Sequence, residues 1–283
     1  MTEVPLISIV VPTLNQARFI EQTLASIAGQ NWPRTELIVV DGGSTDGTRA
    51  IVERYPTTLF ISEPDRGQAD AINKGMRLAK GDILAWLNSD DYYLPLAFAR
   101  AVAAMGDLTQ PRFVYGGCLL LYEGDNSAKL ARPHPFDPLE LTYHDFIHQP
   151  ATFWTRALWE KTGELNVNFN YVLDWDFWLR ASRHGELLPL DECLAVYRFH
   201  GAHKTGGNSS TRTEELVGFV DRHGTPDARA AFRAVSARLP EMARSWDRWG
   251  RCGHYRWHKL RHLDIYTRYP ERLVNLALWQ LHV

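Results

Sequence analysis

The chain has few cysteines. Cys118, Cys193 and Cys252 are its only three in 283 residues, odd in number, far apart and in no metal-ligand spacing. That excludes a disulfide framework and fits buried thiols in a reducing compartment. No apolar run approaches the roughly 18 to 20 residues of a membrane-spanning helix. The opening stretch, MTEVPLISIVVPTLNQ, has no basic region, and its apolar run stops at Pro12, so no signal peptide is expected. A cytoplasmic protein, soluble or peripheral on the inner face of the membrane, is expected. Charge of one sign is also missing: 31 Lys and Arg stand against 33 Asp and Glu, a formal net charge of −2, which argues against a dedicated nucleic-acid binder. Two phosphate-binding signatures are absent as well. No GxGxxG opens the first helical pattern, and the turn PTLNQARF lacks the lysine and glycines of a P-loop.

What is present is ordinary in amount and specific in order. A hydrophobic content of 45% with 23% charged residues suits a folded globular chain. The runs 6–13 (LISIVVPT), 36–43 (ELIVVDGG), 57–64 (TTLFISEP) and 82–91 (DILAWLNSDD) are short, apolar and rich in β-branched residues. Strands covered on both faces of a parallel sheet have this texture. Helical patterns lie between them: QARFIEQTLASIAGQ, then STDGTRAIVERY with Ser44 or Thr45 as its N-cap, then GQADAINKGMRLAKG. The alternation predicts a doubly wound, mostly parallel α/β sheet flanked by helices. From Pro95 the texture changes. PLAFARAVAAM predicts a helix begun by proline, RFVYGGCLLLYEG with AKLARPHP a hairpin, HQPATFWTRALWEKTG a strand entering a helix, DWDFWLRASRHG a short amphipathic helix and ELLPLDECLAVYRFH a strand. GAHKTGGNSSTR is the candidate mobile loop, and about 212–283 reads as a helical extension rich in Arg and Trp.

In such sheets ligands sit beyond the carboxyl ends of the strands. The polar clusters fall there: Thr13 and Asn15, Asp41, Glu63 and Asp65, then Asp90 and Asp91. Adjacent carboxylates at one strand end repel each other unless a cation or donors share the site. A hard divalent cation, Mn²⁺ or Mg²⁺, would neutralise Asp90 and Asp91 and bridge to a diphosphate.

SIVVPTLNQ, DGGSTDGT, EPDRGQADAINKG and WLNSDDYYLP, in this order and spacing over 8–95, resemble an inverting family-2 glycosyltransferase of the GT-A fold. The likeness continues more loosely through HQPATFW, LDWDFWLR and YRFH to about residue 200. It implies a catalytic domain over 1–205, with a nucleotide-binding half (1–95) and an acceptor-side half (96–205), followed by the extension 206–283. It implies a nucleoside-diphosphate-sugar donor, with UDP the expected nucleotide, and a glycan or lipid-linked acceptor in cell-surface polysaccharide or glycan synthesis. Asp41 would read the nucleobase, Asp65 the base or ribose, and Thr13 and Asn15 would lie beside the nucleotide. Asp91 would hold the metal, Asp90 would face the ribose or a metal-bound water, and His200 or His203 would complete the metal site. Asp174 would be the general base. The family pair Glu-Asp reads Leu173-Asp174 here.

A good leaving group needs no general acid, whereas an acceptor hydroxyl needs a carboxylate to take its proton. One base on the face opposite the leaving group gives inversion. Asp176, two residues on from Asp174, is expected to pair with Arg180 instead. One of Trp154, Trp175 and Trp178 is expected to line the acceptor site. Rival readings are a nucleotidyltransferase, for which the first turn lacks a basic triphosphate loop, and a non-catalytic sugar-binding subunit on the same fold. The tail 244–272 sets eight Lys and Arg against three acids, with tryptophans interleaved. It reads equally as a peripheral membrane contact or as a solvated basic helix. His254, His258 and His262 could share a helix face there, without a carboxylate to make a metal site.

Overall fold

The computed structural model of the chain describes residues 3–201, 204, 209–250 and 254–282. It contains two compact units, 1–136 with 146–203, and 137–145 with 204–283. His203, Cys252 and half of the Gly- and Ser-rich loop lie outside the described residues.

The first unit begins with β1 (Ile7–Thr13), α1 (Ile20–Ala28), β2 (Thr35–Asp41), α2 (Thr48–Val52), β3 (Leu59–Ser62), α3 (Gln68–Leu78) and β4 (Ile83–Trp86). It continues with β5 (Tyr92–Tyr93), α4 (Ala97–Met105), β6 (Arg112–Tyr122), β7 (Ser127–Ala131), β8 (Thr152–Thr155), α5 (Arg156–Thr162), α6 (Leu173–Ala181) and β9 (Glu186–Phe199). The strands form one sheet in the order β3-β2-β1-β4-β8-β6-β9-β5, with β7 paired to β6. β3, β2, β1 and β4 are mutually parallel, and β8 runs against β4. Every residue of β1 is buried, which explains why its sequence shows no polar alternation. Thr13 pairs with Asp41 and Asp41 with Ser62, so the last residues of three strands lie in one row. The crossover helices pack closely behind that row. A Cβ on Gly75 of α3 would stand 2.5 Å from Val10 Cγ1 and 3.2 Å from Val40 Cγ2, so only a glycine lets α3 approach this near.

Two local starts differ from expectation. α2 begins at Thr48 rather than at Ser44 or Thr45, because Asp41 captures the Ser44 N–H three residues on and Asp46 takes the Thr48 N–H into an Asx-turn. α4 begins at Ala97, two residues after Pro95, behind Leu96 in the left-handed region at φ 68°.

The second unit holds α7 (Ser210–His223), α8 (Pro226–Ala237), α9 (Leu239–Ser245), a π-helical turn (Trp246–Gly250), α10 (Tyr255–Arg261), α11 (Leu263–Arg268) and α12 (Glu271–His282). The short stretch 137–145, which sequence patterning had grouped with the acceptor-side half, belongs to this unit. Its Glu140 pairs with Arg272 at 2.7 Å and with His144 at 2.8 Å. Buried Arg212 donates to the carbonyls of Gln280 and Leu281, closing the end of α12. Among the described residues, no helix is long and apolar enough to cross a membrane.

Candidate active site

The row Thr13, Asp41, Ser62 forms the floor of the site. Asp41 is fully buried. Its carboxylate accepts from the Ser44 N–H, from the Ser44 hydroxyl and, at 2.7 Å, from the Ser62 hydroxyl. Both oxygens are thus committed to the turn, and a contact with a nucleobase would require the Ser44 hydroxyl to yield. The Thr13 hydroxyl, also buried, has no hydrogen-bond partner among the described residues.

The loops after β1 and β2 are joined by side chains. Asn15, in the left-handed region at φ 53°, donates its N–H to the Ser44 hydroxyl at 2.7 Å and accepts from the Thr45 N–H at 2.9 Å. Asp46 accepts from the Ala17 N–H, and the Gln16 N–H donates to the Thr48 hydroxyl. Short polar side chains here replace the backbone ladder that ends at Thr13 and Asp41.

Asp65 accepts from the Gly67 N–H at 2.8 Å, and its other oxygen lies where a Cβ on Gly42 would stand, 2.6 Å away. Asp41 and Asp65 therefore flank the Gly42-Gly43 turn. Gly67, at φ 111°, opens α3, where buried Asp70 accepts from Arg66 through its N–H and its guanidinium. The guanidinium, ahead of the backbone N–H, holds the Asp70 carboxyl below the usual aspartate range despite burial. Gln68 at the head of α3 donates to Asn88 at 2.7 Å, linking this loop to the end of β4.

Asp90 and Asp91 part company. His200 Nε2 lies 3.1 Å from Asp90 Oδ2, and the Asp90 side chain is 18% exposed. Asp91 is 1% exposed. Its Oδ1 accepts from the Arg198 N–H at 2.9 Å, and its Oδ2 has no partner among the described residues. Burial first, and the Asp90 charge second, push the Asp91 carboxyl well above the usual range. The Asp91 charge in turn reaches the core groups Cys118 and Tyr93, adding to the burial that raises both. Asp91, expected to carry the metal, thus keeps one buried carboxylate oxygen without a partner among the described residues, while Asp90 is the one that meets His200.

α1 supports this loop from behind. Thr23 donates to the carbonyls of Ser89 and Asp91 at 3.0 and 2.7 Å, Ser26 accepts from the Tyr93 N–H, and Gln30 donates to the Leu94 carbonyl. Sequence reasoning missed these three. Their spacing of three and four residues on an otherwise apolar helix face was the available signal. It missed Arg198 and Phe19 as well. The Arg198 guanidinium lies 4.9 Å from the centre of the Phe19 ring and 5.4 Å from that of Tyr92, and the His200 ring lies 4.3 Å from Phe19.

Asp174 stands in the first turn of α6 and is half-buried. The helix is docked by two anchors. Trp178 stacks on Trp86 of β4 at 5.3 Å. The preceding segment exchanges two 2.9 Å hydrogen bonds with Asn73 of α3 through Leu165, and Asn170 reaches within 3.9 Å of a Cβ placed on Gly67. The start of α6 is thereby held beside the loop that carries Asp65. Asp176 pairs with Arg180 at 2.8 Å, as its spacing implied. Trp154, Trp175 and Trp178 are all fully buried, so the expectation that one lines the acceptor site is corrected: all three belong to the core.

Among the described residues, no group of three or more His, Cys, Asp or Glu side chains is arranged to hold a metal ion. A carboxylate beside an imidazole still fits a divalent cation that takes its remaining ligands from a diphosphate and water.

A parallel sheet continued by antiparallel strands, with acidic side chains gathered at the carboxyl ends, is the GT-A type of fold. A family model described as Glycosyl transferase family 2 matches residues 8–160. The chain belongs to that family and is a glycosyltransferase. It is 34% identical over 213 residues to a PGL/p-HBAD biosynthesis glycosyltransferase of Mycobacterium tuberculosis, covering 73% of this chain and 80% of the relative. Among solved structures, S. aureus TarS 1–349 in complex with UDP-GlcNAc aligns with a TM-score of 0.61 at 17% identity, over 98% of this chain and 88% of that one. The mannosyltransferase PcManGT from Pyrobaculum calidifontis, in complex with GDP-Man and Mn²⁺, aligns with a TM-score of 0.57 at 20% identity, over 99% and 74%.

Proposed function

We propose that the protein transfers a sugar from a nucleoside-diphosphate-sugar, with UDP as the nucleotide, to an acceptor hydroxyl with inversion at the anomeric carbon. The acceptor is a glycan or a lipid-linked molecule, and the likeness to a biosynthetic glycosyltransferase supports a role in glycan synthesis. The pairing of Asp90 with His200 at the strand ends carries this reading. The two side chains would hold a divalent cation, Mn²⁺ or Mg²⁺, which would supply neutralisation of the charge on the departing diphosphate. Asp91 anchors the loop from the core side through Arg198. The nucleobase rests over the Gly42-Gly43 turn, with Asp65 at its edge, Asp41 beneath, and Thr13 and Asn15 alongside.

Asp174 takes the proton of the acceptor hydroxyl, and attack from the face opposite the diphosphate inverts the centre. The bond from anomeric carbon to phosphate oxygen breaks with its electron pair on the diphosphate, so no protein acid is required. The test is NDP release from a panel of UDP-, GDP- and dTDP-sugars with Mn²⁺ and no acceptor, where water substitutes for the hydroxyl. Slow release from a UDP-sugar is the expected result. Tight binding without any release would instead mark a sugar-binding subunit, and release from GDP- or dTDP-sugars alone would overturn the choice of nucleotide.

A further inference from the structure

The helical unit carries a face that glycosyl transfer does not use. On α10 the buried side is set by His258, and the neighbouring His262, Ile265 and Tyr266 are buried with it. Helical spacing turns Arg256 and Leu260 to the opposite side and Trp257 to the flank, and Arg261, nearer the buried edge, is exposed as well. Trp257, Leu260 and Leu263 are 60%, 59% and 48% exposed, a concentration of large apolar groups that a solvated basic helix has no reason to present. Trp249 extends the patch, 6.5 Å from Trp257, with the Arg248 guanidinium 5.0 Å from its ring centre.

The charges around the patch do not balance. All three acids of 244–272 are engaged: Asp247 with His282, Asp264 with Arg238 and Glu271 with Lys259. Arg244, Arg248, Arg256, Arg261 and Arg268 are exposed, and none has an ion pair among the described residues. Arg248, Arg256 and Arg261, without an ion pair among the described residues and on the same short stretch as the exposed tryptophans and leucines, call for a partner that is anionic and apolar at once.

We propose that this face docks on an anionic bilayer surface. Trp257, Leu260, Leu263 and Trp249 enter the boundary between headgroups and acyl chains, and the arginines pair with lipid phosphates. Charge decides against a second copy of the chain, because an isologous contact would set these arginines against their own equivalents. A nucleic acid would satisfy the arginines but leave Leu260 and Leu263 without an apolar partner. The proposal does not depend on the donor, acceptor or stereochemistry assigned above.

Co-sedimentation of the full chain with vesicles tests it. The protein should pellet with vesicles of phosphatidylcholine mixed with phosphatidylglycerol, not with phosphatidylcholine alone, and added salt should weaken the binding. The double variant Arg256→Gln/Arg261→Gln should lower the partition coefficient by about tenfold or more, from the attraction each basic residue contributes near an anionic surface. Trp257→Ser/Leu260→Ser should lower it too, while Leu130→Ser, at another exposed leucine, should not. Unchanged melting temperatures show that the variants are folded. The proposal fails if anionic vesicles do not retain the wild type, or if the arginine variant binds them as well as the wild type does. It also fails if the same substitutions instead abolish a dimer or RNA binding, either of which would give the face a different occupant.

Discussion

Asp90 and Asp91 are neighbours in sequence and strangers in environment. One meets His200 and solvent; the other lies in the core under Arg198. Sequence alone could not separate them, because the chain turns between β4 and β5 and no strand or helix period fixes which carboxylate faces out. Asp174 and Asp176 were separable, since a helix period applies and Arg180 stands four residues beyond Asp176. This pair gives the residue-scale prediction. Asp174→Asn should lower kcat by about 10²- to 10⁴-fold, the usual contribution of a positioned base, with donor affinity nearly unchanged. Asp176→Asn should act mainly on stability. Steady-state kinetics and thermal melts on both variants decide it. If Asp176→Asn is inactive while Asp174→Asn turns over, the assignment is off by two residues.

Among the elements, the parallel half was the most legible, because buried strands read as short continuous apolar runs and the amphipathic helices between them write their period into the sequence. The hairpin of β6 and β7 and the entry of β8 into α5 were legible for the same reason. Helix starts were less so: the Asp41 carboxylate captures the Ser44 amide, an Asx-turn at Asp46 follows, and α2 starts only at Thr48. The supporting roles of Thr23, Ser26 and Gln30, on and just beyond α1, were hidden because their partners at Ser89, Asp91, Tyr93 and Leu94 lie far along the chain. Close approach of α3 to the sheet yields the prediction at this scale. Gly75→Ala should destabilise the first unit by about 1–3 kcal/mol, the usual penalty of overpacking, because the new methyl meets Val10 and Val40. Urea denaturation measures it, and a change under a few tenths of a kcal/mol would show that the helix can retreat without loss.

Over the whole molecule, 137–145 was the least legible segment. It is short and irregular, and nothing in its own sequence announces that Glu140 belongs with Arg272. Burial alone pushes the Glu140 carboxyl up, but hydrogen bonds from His144 and then Arg272 outweigh it and hold the group below its ordinary value of 4.5. A depressed carboxyl stabilises the fold above that ordinary value and loses the contribution as pH falls through the lower, folded value. Thermal stability should therefore decline on acidification below about pH 5. Arg272→Ala should make that decline shallower and cost up to about 1 kcal/mol at neutral pH, a modest amount because the arginine is largely exposed. Melting curves across a pH series with identical slopes for both proteins would remove Glu140 from the account.

The central claim is that Asp90 and His200, rather than Asp91, build the cation-dependent donor site. Calorimetric titration of UDP into the full chain, with and without Mn²⁺, tests this directly when repeated on Asp90→Asn and Asp91→Asn. The account predicts binding that requires Mn²⁺, is lost in Asp90→Asn, and persists in Asp91→Asn for whatever fraction remains folded. Binding that survives Asp90→Asn, or is equally tight without the cation, would contradict it.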